Sequence, residues 1–211
     1  MIKQYDSIIF DLDGTLWDPM ESCLTSWNEV LDKLEFINEP ITEDVMKNIF
    51  GMKYDLIADV LFPTLTDEQK KQVMSECILN GNEYLKANGG KLYEPLEDIL
   101  EKLSKTHQLF IVSNCQSGYI ESFLTYYKLD SYFKDFECPG NTGLSKAENI
   151  KLIIERNKLK SPIYIGDTEG DYQATKANQL PFYFAKYGFG EVENEDIIIL
   201  ESLSDLLNEE K

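Results

Sequence analysis

Three short apolar segments, each of which ends abruptly at polar residues, constrain the fold of this chain more than any other feature. They are Ile8–Phe10, Leu109–Val112 and Ile163–Ile165. Runs of this length bounded by turn signals are typical of strands buried on both faces. Helical patterns alternate with strand patterns from about residue 92 onward. The sequence therefore predicts a doubly wound, mainly parallel α/β sheet with helices on both faces.

The region directly after the first strand has a different pattern, because its apolar residues recur at helical spacing without strand signals between them. The helices predicted there cover about 19–34, 41–50, 54–62 and 66–87. We therefore predict an α/β core, residues 1–15 and 90–211, into which an all-helical cap, residues 16–89, is inserted. A chain of 211 residues is long enough for such a core and insert.

Polar side chains follow each of the three strands at the point where the strand ends. Asp11 and Asp13 follow the first strand, Ser113 and Asn114 the second, and Asp167 the third. Because the carboxyl ends of parallel strands lie at one edge of a sheet, we expect these side chains to meet there.

A lysine is predicted to join them. Lys146 begins a helix that Ser145 and Glu148 are expected to cap, and it follows a segment, residues 140–143, that we expect to be a flexible loop. Another helix is expected from about Ser202 to Leu207.

This set of residues suits phosphoryl transfer. Clustered carboxylates repel one another unless a cation neutralises them, and all-oxygen ligand sets favour Mg²⁺. A hydroxyl, helix N-termini and a lysine suit a bound phosphate. One carboxylate can then act as a nucleophile, while a second carboxylate transfers protons. Asp11 and Asp13 are the candidates for these two roles.

The same residues resemble a known family. The segments Asp11-Leu12-Asp13-Gly14-Thr15, Ser113-Asn114, Lys146 and Gly166-Asp167-x-x-x-Asp171 are similar, in this order, to the four motifs of the haloacid dehalogenase (HAD) superfamily. The helical insert resembles the C1-type cap of that superfamily. Residues 182–190 are similar to the terminal strand and glycine turn of its phosphoglycolate-phosphatase-like members.

The resemblance implies a role for each acidic residue of the motifs. Asp11 would be the nucleophile and Asp13 the general acid and base. Mg²⁺ would be held by the side chains of Asp11 and Asp167 and by the backbone carbonyl of Asp13, with Asp171 in support. From the sequence alone, Asp171 could equally serve only to complement the dipole of its helix.

The resemblance also implies a substrate site. Ser113, Asn114 and Lys146 would bind the substrate, with Ser113 and Lys146 on the phosphoryl oxygens. The cap segment that contains Gly51 and Lys53 resembles the specificity segment of related caps, and Lys53 could meet an anionic tail.

The sequence leaves open which phosphoryl-transfer protein this is. We expect a magnesium-dependent phosphatase that hydrolyses a small phosphorylated metabolite through an aspartyl-phosphate. A phosphomutase of the β-phosphoglucomutase type could use the same core residues, and a non-catalytic, receiver-like protein could use Asp11 as a phosphoacceptor. Trp17, at the entrance of the insert, could belong to the core or to the pocket.

Charge and cysteine content restrict the partners. The net charge of -18 would repel phosphate backbones and anionic membrane surfaces, so we expect neither nucleic acid nor a membrane as a partner. The 4 cysteines show no zinc or disulfide spacing, and no signal peptide is recognisable. We expect a cytoplasmic protein, a monomer or a homodimer.

Overall fold

The centre of the molecule is a parallel six-stranded sheet with the order β5-β4-β1-β6-β7-β8. A computed structural model describes residues 2–52, 54–194 and 197–207. The strands of this sheet are β1 (Ser7–Phe10), β4 (Gln108–Val112), β5 (Phe133–Glu137), β6 (Pro162–Gly166), β7 (Phe182–Ala185) and β8 (Ile198–Leu200). A separate antiparallel ribbon pairs β2 (Trp17–Asp18) with β3 (Lys91–Leu92).

Helices cover both faces of the sheet and form most of the region between β2 and β3. Those between the two ribbon strands are α1 (Met20–Leu31), α2 (Glu43–Ile49), α3 (Tyr54–Leu61) and α4 (Asp67–Asn88). The others are α5 (Leu96–Leu103), α6 (Tyr119–Tyr127), α7 (Pro139–Thr142), α8 (Lys146–Asn157), α9 (Glu169–Ala177) and a 3₁₀ helix (Leu203–Leu207). In the described part of the chain, no helix is both long enough and apolar enough to cross a bilayer.

Strand β1 lies at the point where the strand order reverses. Strands β4 and β5 lie on one side of β1, and the later strands β6, β7 and β8 lie on its other side. Successive residues of β1 face opposite sides, so Ile8 and Phe10 pack in one apolar core while Ile9 packs in the second. The carboxyl end of β1 is therefore at the switch point, where doubly wound sheets bind ligands.

The predicted α/β fold is confirmed, and most predicted elements lie within a few residues of the observed ones. The capping box at Thr66 is present, since its side chain accepts a hydrogen bond from the backbone nitrogen of Gln69. The division into a core and a cap at residues 16–89 stays a prediction.

The structure differs from the sequence prediction in three local details. Residues 140–143 are not an open loop, because Pro139 begins the short helix α7, which ends at Gly143 in the left-handed region. The last helix is a 3₁₀ helix that begins at Leu203. The β2–β3 ribbon was not predicted, since a strand of 2 residues gives no periodic signal.

Candidate active site

The carboxyl ends of three adjacent strands bring the predicted acidic residues to one edge of the sheet. Phe10 of β1 is in register with Ile111 of β4 and Ile165 of β6. Asp11 follows immediately, and its backbone nitrogen donates to the carbonyl of Ile165 at 2.8 Å. Asp167 begins the loop after β6, so the parallel register places it beside Asp11.

A buried group of three carboxylates forms at this edge. One carboxylate oxygen each from Asp11, Asp167 and Asp171 lies within 4.8 Å of the others, and all three residues are buried. Lys146 approaches from the first turn of α8 and donates to Oδ1 of Asp11 at 2.8 Å. It also donates to Oδ1 of Asp171. Four predicted residues from distant parts of the chain are therefore in one cluster.

The electrostatics of the cluster follow from burial and like charge. Burial and the nearby charge of Asp171, opposed by Lys146, raise the pKa of Asp11 to about 6. Burial and the charges of Asp171 and Asp11 raise the pKa of Asp167 well above its usual range. Burial opposes ionisation of Lys146, but Asp11 and Asp171 outweigh it and raise the lysine's pKa. Burial is therefore the largest cause of the raised pKa values of Asp11 and Asp167, and the neighbouring carboxylates add to it.

The donor set fits a divalent cation. Oδ2 of Asp167 accepts a hydrogen bond from the backbone nitrogen of Phe189 at 2.7 Å. Its Oδ1 is buried and has no hydrogen-bond partner among the described residues. Leaving a buried carboxylate oxygen unpaired is costly, and a cation would satisfy it together with Asp11 and Asp171.

Glycines make room for Asp167. Gly14 has a positive φ of 76°, and a Cβ added to it would collide with the Asp167 carboxylate. A Cβ on Gly188 would collide with the Cβ of Asp167 and with the Gly14 carbonyl. Close backbone approach at these two positions therefore requires glycine.

Asp13 lies outside the group of three carboxylates and has its own donors. Trp17 donates from Nε1 to Oδ1 of Asp13 at 2.8 Å, and the Tyr119 hydroxyl donates to the same oxygen at 2.9 Å. Burial and the charge of Asp11 raise the pKa of Asp13 to about 7, although the bonds from Trp17 and Tyr119 oppose this. Because both donors use Oδ1, Oδ2 is left as the oxygen suited to proton transfer.

Asp171 caps its own helix and also contacts Lys146, while its predicted support of Mg²⁺ stays a prediction. Its Oδ2 accepts from the Thr168 hydroxyl at 2.7 Å and from the backbone nitrogens of Asp167 and Thr168. This is the capping box of α9. Its Oδ1 faces Lys146, so one side chain both caps the helix and anchors the lysine.

Two predicted substrate residues, Ser113 and Asn114, follow β4, and Asn114 contacts the helical segment formed by α1–α4 (residues 20–88). Ser113 is buried directly after β4. Asn114 donates from Nδ2 to the carbonyl of Gly51 at 3.2 Å, which joins the core to the turn after α2. Oδ1 of Asn114 is buried without a partner in the described chain. Lys53 lies outside the described residues.

Sequence reasoning missed Tyr119 and Tyr164 and left Trp17 open between the core and the pocket. Trp17 had a detectable signal, since an aromatic residue with a polar tip stands four positions after Asp13. Tyr119 had none, because 106 residues separate it from Asp13. Tyr164, in the middle of β6, donates to the carbonyl of Val112 and has its ring 5.8 Å from Lys146 Nζ.

A buried acidic cluster at the switch point of a doubly wound sheet lies where such folds bind their ligands, and comparison identifies the family. Residues 8–185 match the family described as haloacid dehalogenase-like hydrolase. The chain therefore belongs to this family, and the predicted resemblance and the predicted enzyme class, a phosphatase-type hydrolase, are confirmed.

The individual proteins that resemble this chain have low sequence identity to it. The chain is 21% identical to a phosphoglycolate phosphatase of Aliivibrio fischeri, over 100% of this chain and 95% of that protein. It is 25% identical to a 5'-nucleotidase of Pseudomonas aeruginosa, over 89% and 85%. A crystal structure described as a predicted phosphoglycolate phosphatase from Haemophilus somnus superposes with a TM-score of 0.84 at 20% identity, over 97% of each chain. That structural similarity supports the fold.

Proposed function

We propose that this protein is a Mg²⁺-dependent phosphatase that hydrolyses a small phosphorylated metabolite through an aspartyl-phosphate on Asp11. The observation that carries the proposal is the buried cluster at the switch point, where Asp11, Asp167 and Asp171 lie within 4.8 Å of one another. Lys146 bonds Asp11 directly. Its cytoplasmic location and its state as a monomer or a homodimer stay predictions.

The proposed binding roles follow from the donor chemistry. The side chains of Asp11 and Asp167 and the carbonyl of Asp13 would hold Mg²⁺, with Asp171 in support. The bound cation would neutralise carboxylate charge and polarise the phosphoryl group. Asn114 would bind the substrate, while Ser113 and Lys146 would bind phosphoryl oxygens, since a buried ammonium and a hydroxyl both donate to anionic oxygen.

The proposed reaction has two steps. In the first, a carboxylate oxygen of Asp11 attacks phosphorus, and the bond from phosphorus to the ester oxygen breaks. Asp13 gives its proton, held at Oδ2, to the departing alkoxide. In the second, Asp13 takes a proton from water, the resulting hydroxide attacks the phosphorus of the aspartyl-phosphate, and phosphate leaves with both Asp11 oxygens restored.

The proposed cap would exclude water during the first step. Asn114 already bonds the carbonyl of Gly51 across the junction between the core loop and the helical segment. A second contact joins Asn82 of α4 to the carbonyl of Ser117 at 2.9 Å. Closure of this kind protects a reactive intermediate until the leaving group has gone.

A hydrolysis screen tests the proposal. Purified protein is mixed with a panel of phosphate monoesters, with and without Mg²⁺, beside Asp11→Asn and the matched exposed variant Asp130→Asn. We expect Mg²⁺-dependent phosphate release by wild type and Asp130→Asn, and none by Asp11→Asn. Equal release by wild type and a folded Asp11→Asn protein would refute the role of Asp11.

A further inference from the structure

A small, partly open cavity adjoins the proton-transfer residue. It has a volume of about 60 Å³, and Asp13 and Asn114 form part of its lining. Asp13, the proposed proton donor to the leaving group, lines the cavity and Asp11 does not, so we assign the leaving group to this cavity. Most of its wall is apolar and comes from the helical segment: Trp27, Met46, Phe50, Met52, Ile57 and Leu85.

The charge of the wall opposes an anionic leaving group. Asp13 is the one charged side chain among the described residues of the lining, and no lysine, arginine or histidine of the described chain joins it. A carboxylate placed here would lose its hydration, would gain no cationic partner from the described wall, and would be repelled by Asp13. Burying an unpaired charge against apolar surface is strongly unfavourable.

Asn114 supplies a specific polar requirement. Its amide nitrogen is engaged by the carbonyl of Gly51, which fixes the orientation of the side chain. Its Oδ1 is buried and accepts no hydrogen bond from the described chain. An unsatisfied buried acceptor costs about 1–3 kcal/mol, so a hydroxyl or amide N–H on a ligand would be favoured at this position.

The size of the cavity limits the group that it holds. At 10–15 Å³ for each water-sized group, about 60 Å³ corresponds to roughly four to six non-hydrogen atoms. A nucleoside is several times larger than this. The cavity therefore suits a short alkyl group with one polar end.

We propose that the substrate is the phosphate monoester of a small uncharged alcohol, with an apolar body and one hydrogen-bond donor that Asn114 Oδ1 accepts. This inference rests on the proposed phosphatase function and specifies its substrate class. It separates this chain from the phosphoglycolate phosphatases that it resembles, because their named substrate carries a carboxylate.

Two matched pairs of esters test the inference. The first compares 2-phosphoglycolate with its carboxamide, which differ by one charge. The second compares 4-hydroxybutyl phosphate with pentyl phosphate, which differ by one donor. A nucleoside 5'-monophosphate is included as the large substrate, and phosphate release from any of the five esters reports whether the phosphatase chemistry works at all.

We expect kcat/KM to be at least about tenfold higher for the amide than for the carboxylate. We expect a preference of the same size for the hydroxybutyl ester over the pentyl ester. A tenfold preference corresponds to the free energy of about one hydrogen bond. Asn114→Leu should lower kcat/KM for the hydroxybutyl ester to the value for the pentyl ester, which abolishes the second preference. The matched exposed variant Asn141→Leu should retain it.

One set of results would overturn this inference, and a different result would overturn the proposed phosphatase function. A preference below tenfold in either pair, or better hydrolysis of the nucleotide than of the hydroxybutyl ester, overturns the inference while leaving the phosphatase intact. Lys53→Met is measured in parallel: a wild-type preference for 2-phosphoglycolate that this variant loses would assign an anionic substrate to Lys53. If the folded protein releases no phosphate from any of the five esters, the proposed function itself fails.

Discussion

The two hydrogen bonds to Oδ1 of Asp13 lead to a prediction that distinguishes catalysis from structure. Tyr119→Phe removes one donor and leaves the aromatic ring in place, next to Trp17 at a centroid distance of 5.9 Å. Trp17 still holds the carboxylate from its own side. We therefore expect the variant to fold and to position Asp13 less well for proton transfer.

The magnitude follows from the bond that is lost. A hydrogen bond to a charged group is worth about 1.5–3 kcal/mol, and about 1.4 kcal/mol is a factor of ten in rate. Because Trp17 retains part of the orientation, we expect the lower end, a loss of about tenfold in kcat for alkyl phosphates. p-Nitrophenyl phosphate has a leaving group that departs without a proton, so the rate of its first step, measured as the burst of p-nitrophenolate before steady state, should change by less than about threefold.

The control is Tyr127→Phe, on the same helix and in the same aromatic cluster. Its hydroxyl bonds the carbonyl of Gly90 at 2.6 Å, and its ring lies 6.1 Å from that of Trp17. We expect no dependence on the leaving group in this variant. Equal losses on both esters for Tyr119→Phe, or the same leaving-group dependence for Tyr127→Phe, would refute a positioning role for Tyr119.

Three further predictions concern the acidic cluster and its surroundings. Asp167→Asn should raise the melting temperature of the metal-free protein by a few degrees, since it removes like-charge repulsion, and should abolish the additional rise on adding Mg²⁺ in thermal unfolding. Lys146→Met leaves buried carboxylates unpaired, which should lower the free energy of unfolding by about 3–5 kcal/mol and the melting temperature by about 6–20 °C. The same change at the exposed Lys105 should have little effect on the melting temperature, and equal shifts for the two variants would contradict a buried ion pair. Gly188→Ala should abolish activity, because the added Cβ would collide with Asp167. Gly170→Ala adds a Cβ that meets no close neighbour on the first turn of α9, so the free energy of unfolding in denaturant should be unchanged or higher by about 0.5–1 kcal/mol.

The sequence predicted the fold well because strong local signals coincide with the topology. Ile8–Phe10 is an apolar run that stops at Asp11, and the structure places it at the centre of the sheet. Capping boxes at Ser145 and Thr66 mark helix starts that are observed within one residue. These features depend on neighbours in sequence, so a single chain reveals them.

The site was only partly predictable. Asp11, Lys146 and Asp167 follow from the rule that the carboxyl ends of parallel strands share one edge. Tyr119 could not be inferred, because its contact with Asp13 depends on how helix α6 packs against the ribbon, and nothing in the local sequence specifies this. The orphaned oxygen of Asn114 likewise became visible only with the surrounding backbone in place.

The account's central claim is that Asp11 carries the phosphoryl group, and chemical trapping tests it most directly. Asp13→Asn is mixed in a single turnover with p-nitrophenyl phosphate radiolabelled in its phosphoryl group, and the reaction is quenched with acid. Attack by Asp11 then needs no proton donor, whereas hydrolysis of the aspartyl-phosphate lacks its base. Label should therefore accumulate on the peptide that contains Asp11, and hydroxylamine should release it. Free phosphate formed without label on the protein, or label on any other residue, would contradict the claim.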